Sequence, residues 1–276
     1  IVYGVTINES ITKLFIAGIV PGLVLAAMFM LYVVAISRFS PNYRPDPEPP
    51  MSFSERVSNS RFLIPVLLLI LVVIGSMYLG YATATEAAAI GVIGALVLAA
   101  TQGSLTWATF TESLLGATRT SAMIALILSG AAFLSLSMGF TGLPRGLAEW
   151  IGSMELSRFE LLMMLLVFYI VIGCFLDGIS SVVLTIAVVE PMIRQAGIDI
   201  IWFGIFIVVV VEMAQITPPI GFNLFVLQGM TNHEMNYIAR AAFPMFLIMV
   251  VMVFVLIAFP DLATWLPENM RQTAAQ

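Results

Sequence analysis

Apolar segments recur along the whole chain, and most of them are long enough to span a bilayer. They occupy residues 11–37, 62–82, 84–103, 119–140, 159–176, 178–193, 200–230 and 241–260. A chain that crosses lipid must satisfy its backbone hydrogen bonds internally, which about 20 residues achieve as an α-helix. The composition agrees, with 61% hydrophobic and 10% charged residues, against roughly 25% charged in soluble domains. The sequence therefore predicts an all-α, polytopic membrane protein.

The sequence offers little material for redox, metal or nucleotide chemistry. Its one cysteine, Cys174, excludes an intrachain disulfide, and with a single histidine a His/Cys metal site has almost no ligands. No phosphate-binding glycine loop, nucleophile elbow or zinc-protease motif occurs. No basic patch with interleaved aromatic residues indicates nucleic acid. We expect membrane lipid around the helices, no cofactor and no nucleic-acid partner.

One hydrophilic connection, residues 38–61, fixes the predicted topology. Its arginines are Arg38, Arg44, Arg56 and Arg61. Because arginine is enriched in cytoplasmic loops, we place this loop in the cytoplasm. Segment 11–37 then runs inward, 62–82 outward, 84–103 inward and 119–140 outward, which leaves the loop 141–158 outside.

Glutamates accompany three of the apolar segments. We predict that Thr85 caps the helix at 84–103 and that Glu86 supports this cap rather than carrying a proton. Glu190-Pro191 is expected to end a helical arm at the membrane interface. Glu212 precedes the Thr-Pro-Pro sequence by five residues, and it is a candidate proton carrier or a partner for a helix end.

A turn signal divides the apolar stretch 159–193 into two short arms. Asp177-Gly178 lies near its centre, followed by Ser180 and Ser181. Each arm is short for a full span, so we predict a re-entrant hairpin with its tip at membrane depth. The alternative is one membrane helix that ends near Asp177, followed by a second. A carboxylate inside a membrane is a functional candidate, and here it can cap the second arm, bind an ion, or do both.

The segment 200–230 contains a sequence that a continuous helix cannot accommodate. Two successive prolines remove backbone donors and clash with the preceding turn, so we predict a broken helix. Such a break exposes carbonyls, which coordinate Na⁺, and N–H groups, which attract anions. We expect the prolines to free the carbonyls near Ala214 and Gln215. The candidate site residues at the break are Thr217, Pro218, Pro219, Gly221 and Asn223.

An internal repeat relates the region after the break to the first residues of the chain. When VLQGMTNHEM is aligned with IVYGVTINES, three pairs are identical: Gly229 with Gly4, Thr231 with Thr6, and Glu234 with Glu9. The helices that follow have opposite predicted directions, so the repeat is inverted, as in many secondary transporters. We therefore expect residues 1–10 to be the external end of a first repeat, and the chain to be the C-terminal part of a larger subunit.

Four motifs together resemble the large membrane subunit of tripartite ATP-independent periplasmic (TRAP) transporters, within the ion transporter superfamily. These motifs are Ile216-TPPIGFNLF, Gly173-CFLDGISSVVLT, Ala82-TATEAAA and Asn8-ES. The resemblance implies an inverted-repeat, elevator-type transporter in the bacterial inner membrane, in which Na⁺ binds at hairpin tips and helix breaks. It also implies two partners, a small membrane subunit and a periplasmic substrate-binding protein, and an organic-acid substrate such as a dicarboxylate, a keto acid or sialic acid.

The resemblance divides the chain into the second transport half and part of the scaffold. The expected divisions are a scaffold helix at 11–37, a cytoplasmic loop at 38–61, a scaffold helix pair at 62–103, a transport half at 104–240 and a last helix with its tail at 241–276. The Na⁺ site of this half would involve Asp177, Gly178 and the break from Thr217 to Asn223. One alternative is a proton-coupled organic-anion transporter without a binding protein. A distant alternative is an intramembrane enzyme, for which no base accompanies Asp177.

Overall fold

The computed structural model describes residues 1–39, 52, 60, 63–218, 221–231 and 233–269. Throughout these ranges the ordered elements are helices. The first six are α1 Val2–Thr6, α2 Ile11–Ala17, α3 Ile19–Phe39, α4 Ile64–Tyr78, α5 Ala84–Thr101 and α6 Trp107–Thr141. The next seven are α7 Leu143–Gly152, α8 Arg158–Gly173, α9 Gly178–Gln195, α10 Ile200–Gln215, α11 Phe222–Thr231, α12 Met235–Ala258 and α13 Asp261–Glu268.

Several of these helices are long and apolar enough to cross a membrane. Within the described ranges they are Ile11–Phe39, Ala84–Thr101, Trp107–Met138, Gly178–Gln195 and Met235–Ala258. The helices Ile64–Tyr78 and Ile200–Gln215 are also apolar but shorter. The described part of the chain is therefore all-helical, and its apolar helices fit the multi-pass membrane protein that the sequence predicts.

The chain divides into two compact units. One unit comprises residues Ile1–Phe29 and Ser121–Pro267, and the other comprises Met30–Thr120 and Glu268–Gln276. The first unit is built around α10, whose side chains include the fully buried Phe203, Phe206 and Met213. Helices α2, α8, α9 and α12 all pack against α10. This central helix ends at Gln215, just before the Thr-Pro-Pro sequence, and the next helix begins at Phe222. We call the stretch 216–221 the interruption. It directly follows a helix whose side chains are mostly buried.

The cap of α5 is Thr83, and the prediction of Thr85 is wrong. The Thr83 hydroxyl accepts a hydrogen bond from the Glu86 N–H at 3.3 Å, and Glu86 Oε2 accepts one from the Thr83 N–H at 2.8 Å. This reciprocal pair requires the capping residue to precede the glutamate by three positions. Thr85 adjoins Glu86 and cannot form it. Glu86 has the capping role that we predicted.

Two helix boundaries around α6 and α7 differ from the sequence prediction. Helix α6 begins at Trp107 rather than near residue 119, because Thr106 and Thr109 form a reciprocal pair of hydrogen bonds ahead of its first turn. The stretch 141–158, predicted as a loop, contains the helix α7, which packs on α9. Gly142 separates the two helices with a left-handed conformation, φ 67°.

Helix α9 continues through Pro191, so the prediction that Glu190-Pro191 ends the arm is wrong. The helix extends to Gln195, whereas the predicted stretch ended at residue 193. Glu190 Oε1 accepts a hydrogen bond from Arg194 Nε at 2.9 Å, one turn further along. Neighbouring helices can compensate for the hydrogen bond that a proline removes from a membrane helix, and α7, α8 and α10 all pack against α9.

In the second unit, α4 and α5 pack closely at a glycine. A Cβ atom at Gly94 would collide with the Leu69 side chain, whereas one at Gly75 would meet nothing within 4 Å. We therefore expect Gly94→Val to lower the melting temperature of the detergent-solubilised protein, because the two helices must separate or repack. The matched variant Gly75→Val is expected to have a smaller effect. Equal shifts for both would contradict a specific contact at Gly94.

Candidate functional site

The Asp177-Gly178 turn joins α8 to α9. Asp177 is the N-cap of α9, and its Oδ2 accepts hydrogen bonds from the N–H groups of Ile179 and Ser180, both at 3.1 Å. Helix α8 ends at Gly173, so four residues separate the two helices. The side chain of Asp177 is partly buried. Its carboxylate is therefore engaged at the helix start, as an N-cap aspartate usually is.

In the interruption after α10, Thr217 forms hydrogen bonds back to the last turn of that helix. The Thr217 N–H donates to the Ala214 carbonyl at 3.1 Å, and the Thr217 hydroxyl donates to the Met213 carbonyl at 2.7 Å. The expectation that the prolines free the Ala214 carbonyl is therefore wrong, since the turn folds back and uses it. Pro219 lies outside the described residues, and Pro218 is exposed.

Gly221 is the last residue of the interruption, and neighbouring atoms leave no space for a side chain at this position. Its φ is 32°, a left-handed value that side chains disfavour. A Cβ atom at this position would lie 2.8 Å from the Thr217 carbonyl oxygen and 3.1 Å from the Gln215 carbonyl oxygen. Two backbone oxygens thus converge on a point that only glycine leaves open. Helix α11 follows directly, and the Gly221 carbonyl accepts a hydrogen bond from the Leu224 N–H at 2.7 Å.

The turn and the interruption lie against each other. A Cβ atom at Gly178 would collide with the side-chain amide of Gln215, and one at Gly173 would collide with Ala214. The Cys174 thiol lies 3.5 Å from the Pro218 carbonyl oxygen. Glycines at both ends of the turn therefore allow α8 and α9 to approach the C-terminal end of α10. Two motifs that lie about 40 residues apart in the sequence form one site.

Ser181 contributes an unusual buried group to this site. Its side chain is fully buried, and its Oγ atom has no hydrogen-bond partner within the described part of the chain. A Cβ atom at Gly173 would lie 4.0 Å from this oxygen, so the hydroxyl faces the end of α8. The Thr185 hydroxyl donates to the Ser181 carbonyl at 2.7 Å and lies 2.6 Å from the Tyr169 hydroxyl. Buried polar groups are normally paired, so the Ser181 hydroxyl is a candidate contact for a ligand.

Glu212 and Asn223 bridge the interruption from the two helices that flank it. Asn223 Nδ2 donates to Glu212 Oε2 at 3.4 Å. Glu212 is exposed and Asn223 is partly buried. This contact is long for a hydrogen bond. It places the carboxylate of α10 at the first turn of α11, so the structure connects Glu212 with the interruption, as one of the two predicted roles requires.

The predicted site residues fall into three groups. In the first group, Asp177 and the backbone N–H of Ser180 form the cap of α9. Gly178 lies against Gln215 at the end of α10, and the Ser181 hydroxyl faces the end of α8. Thr217 and Gly221 form the interruption, and Asn223 turns to Glu212. Sequence reasoning missed the side chain of Gln215, together with Gly173 and Tyr169. The spacing Gly173 to Gly178 around an aspartate was the available signal for a close helix approach.

The arrangement offers oxygen atoms rather than soft ligands. In the described residues, no group of three or more histidine, cysteine, aspartate or glutamate side chains could hold a metal ion. The oxygens near the interruption are the Gln215 and Thr217 carbonyls, and the Ser181 hydroxyl lies at the end of α8. These features define a polytopic helical membrane protein with an internal polar site at an interrupted helix.

Comparison with known proteins supplies the family. A family model described as "Tripartite ATP-independent periplasmic transporter, DctM component" matches residues 1–262. The chain belongs to this family. The C4-dicarboxylate TRAP transporter large permease protein DctM of Pseudomonas aeruginosa is 28% identical over 269 residues, which cover 97% of this chain and 62% of the relative.

Other relatives carry different substrate names. The DctM protein of Rhodobacter capsulatus is 32% identical over 262 residues, covering 95% of this chain and 59% of the relative. The sialic acid TRAP transporter large permease protein SiaM of Vibrio cholerae is 27% identical over 271 residues, covering 97% and 62%. The chain thus spans about three-fifths of the length of these relatives. Because the relatives are named as transporter permeases, the prediction of a transport protein rather than an enzyme is confirmed.

Proposed function

We propose that this chain is part of the membrane permease of a sodium-coupled secondary importer of small organic acids. The observation that carries the proposal is the contact between the capped Asp177 turn and the interrupted helix, formed by Gly178 against Gln215 and by Cys174 against Pro218. Secondary transporters bind coupling ions and substrates at such discontinuous helices. The membership in a transporter family supports the same assignment.

We assign the coupling ion to the oxygen atoms of this contact. Unwound backbone carbonyls and helix ends are the usual Na⁺ ligands in transporters of this kind, and the Gln215 and Thr217 carbonyls converge at Gly221. The unpaired Ser181 hydroxyl and the Asp177 carboxylate supply further oxygens in the adjoining turn. An ion held there would link the position of the turn to that of the interrupted helix, so Na⁺ binding would favour one arrangement of the two.

The remaining features of the proposal follow the family. Substrate would arrive from a periplasmic binding protein, and a small membrane subunit would complete the permease in the bacterial inner membrane. The hairpin formed by α8 and α9 would be re-entrant, and the repeat would be inverted within an elevator-type transporter. The substrate would be a C4-dicarboxylate, a keto acid or sialic acid. The names of relatives include C4-dicarboxylate, 2,3-diketo-L-gulonate, sialic acid and isethionate.

Uptake into proteoliposomes tests the proposal. The transporter that contains this chain would be reconstituted with its small subunit and candidate binding protein. Entry of labelled succinate, 2,3-diketo-L-gulonate, N-acetylneuraminate and isethionate would be followed. We expect uptake of at least one compound to need both an inward Na⁺ gradient and the binding protein. Uptake that a proton gradient drives equally well without Na⁺, or that needs no binding protein, would contradict the proposal.

Proton coupling without a binding protein is the second candidate, and the contact of Glu212 with Asn223 favours it. A carboxyl group at the interruption is the side chain there that could carry a proton, and an ionisable residue within a membrane segment is a functional candidate. In the sodium-coupled reading Glu212 only positions Asn223.

Replacement of Glu212 separates the two candidates. Glu212→Gln keeps an oxygen that can accept the Asn223 amide but cannot release a proton. For sodium coupling we expect Na⁺-driven uptake within about threefold of wild type, since a long, exposed hydrogen bond contributes about 1 kcal/mol or less. For proton coupling, gradient-driven uptake would be abolished while exchange of internal and external substrate persists. The initial rates of uptake and exchange at neutral pH measure the difference.

A further inference from the structure

A second surface of the interruption, away from the Asp177 turn, borders a cavity of about 490 Å³. Ile216, Thr217 and Pro218 form one wall, and residues of α12 form the other. No residue of the turn 174–177 lines it. Cavities of this size accommodate small organic molecules. The interruption therefore has two neighbours, the proposed ion site and this cavity.

The α12 wall of the cavity is a single helical face. Asn236, Ala239, Arg240 and Phe243 line it, and spacings of three and four residues place side chains on the same side of a helix. Arg240 is thus on the face that borders the interruption.

Arg240 has no hydrogen bond or ion pair with any residue that the structure describes. Its guanidinium carries a permanent charge and five N–H donors. The Arg240 side chain is exposed at the cavity, whose lining also includes the apolar side chains of Ile216, Phe243 and Phe246. The amide of Asn236 is the other polar donor of the lining, since the Thr217 hydroxyl already donates to the Met213 carbonyl. A guanidinium without a partner among the described residues, next to an amide donor and apolar side chains, can recognise an anion.

We propose that Arg240 and Asn236 form a binding subsite for the acid group of a small organic anion, a carboxylate or a sulfonate, with Thr217 in the wall of the cavity. The guanidinium binds two oxygens of such a group in a planar, bidentate arrangement, and the apolar walls hold the carbon part of the molecule. Thr217 belongs to both the interruption and the wall of this cavity, so ion and anion would be sensed by the same turn. This assignment rests on the proposed function, because it identifies where that importer holds the acid group of its substrate.

Variants of Arg240 test the subsite in the proteoliposome assay. We expect Arg240→Gln to raise the KM for the transported anion about tenfold, and Arg240→Lys to raise it less, since lysine keeps the charge but not the planar donor pair. At a saturating concentration of the anion, the Na⁺ concentration for half-maximal uptake should be unchanged in both. Arg194→Gln is the matched control, because Arg194 is paired with Glu190 on α9 and lies outside the cavity. A KM for Arg240→Gln within twofold of wild type would overturn the subsite.

A labelling experiment decides the same question without transport. Ala239→Cys introduces a thiol into the cavity wall, and the unmodified background reports the reaction of Cys174. The rates of an anionic and a cationic methanethiosulfonate reagent are then compared. Arg240 should favour the anionic reagent, and Arg240→Gln should lower the anionic-to-cationic rate ratio roughly tenfold, as loss of a nearby charge at intermediate dielectric predicts. A ratio that does not change with Arg240→Gln would show that the guanidinium does not serve the cavity.

The two experiments separate this inference from the proposed function. Uptake that is independent of Na⁺ would contradict sodium coupling, while the KM shift would still test Arg240. If none of the four anions is transported, the labelling ratio alone decides whether the cavity attracts anions. Intact Na⁺-driven uptake with an unchanged KM in Arg240→Gln would contradict the subsite only.

Discussion

Replacing Gly221 by alanine is expected to reduce Na⁺-driven uptake at least about a hundredfold. The added Cβ atom would lie 2.8 Å from the Thr217 carbonyl oxygen and 3.1 Å from the Gln215 carbonyl oxygen. Both are backbone atoms, which cannot turn aside as the end of a flexible side chain can. The left-handed φ of 32° adds a conformational cost of about 1–2 kcal/mol for a residue with a Cβ atom. The two oxygens proposed to bind Na⁺ must therefore separate.

A glycine elsewhere in the same region provides the control for Gly221. Gly229 lies in α11, and a Cβ atom there would meet nothing within 4 Å. Gly229→Ala should leave uptake near the wild-type rate and should stabilise the helix by up to about 1 kcal/mol. Initial uptake rates and melting temperatures, both measured with and without Na⁺, distinguish a lost ion site from a lost fold. Uptake by Gly221→Ala within tenfold of wild type would show that the convergence of the two carbonyls is not needed for transport.

Helix positions could be predicted from the sequence because the membrane imposes a simple rule. About 20 apolar residues must form a helix in lipid, so the segment 84–103 agrees closely with α5. The segment 241–260 agrees with most of α12, although that helix begins earlier, at Met235. The first turns of α6 were missed because Thr109, Thr111 and Glu112 are polar and interrupt the apolar signal. Pro191 led to a different error, because it caused α9 to be predicted to end too early. A helix packed on several sides tolerates a proline that an isolated helix would not.

The N-cap of α5 could have been predicted correctly from the sequence, had the spacing of the capping box been applied. Thr83 and Glu86 have the spacing of a capping box, whereas Thr85 only adjoins the acid. At Asp177, likewise, the Asp-Gly turn and the helix cap can be predicted from neighbouring residues without tertiary information. Both cases concern residues within four positions of each other. Local chemistry of this range is readable from the sequence alone.

The contact between the two motifs could not be predicted in the same way. Asp177 and Thr217 were each identified as candidates, but the approach of Gly178 to Gln215 depends on how α9 packs against α10. The same applies to Ser181, since its lack of a partner follows from its surroundings rather than from its residue type. Arg240 has no sequence motif, and it became a candidate only when its helix face was seen to border the interruption.

Ser181→Ala is the second substitution for which we expect a large effect. It should raise the stability of the Na⁺-free protein and lower the affinity of the protein for Na⁺. In the absence of Na⁺, a buried hydroxyl without a partner costs roughly 1–3 kcal/mol. Ser181→Ala removes this group and should raise the melting temperature in Na⁺-free buffer. It should also raise the Na⁺ concentration for half-maximal uptake on the order of thirtyfold, as the loss of one contact to a charged ligand predicts.

The Na⁺ dependence of the melting temperature makes this test independent of transport. A ligand that binds only the folded state stabilises it in proportion to the logarithm of its concentration, so wild-type protein should melt higher as Na⁺ replaces a larger cation. Ser181→Ala should lose most of this increase at the same concentrations. Ser129→Ala is a suitable control, because the Ser129 hydroxyl already donates to the Ala125 carbonyl at 2.7 Å, and its removal should leave the Na⁺ response unchanged. If Ser181→Ala stabilises the protein yet retains the full Na⁺ response, the hydroxyl is only a packing defect, and the ion must be held by the carbonyls at Gly221 without it.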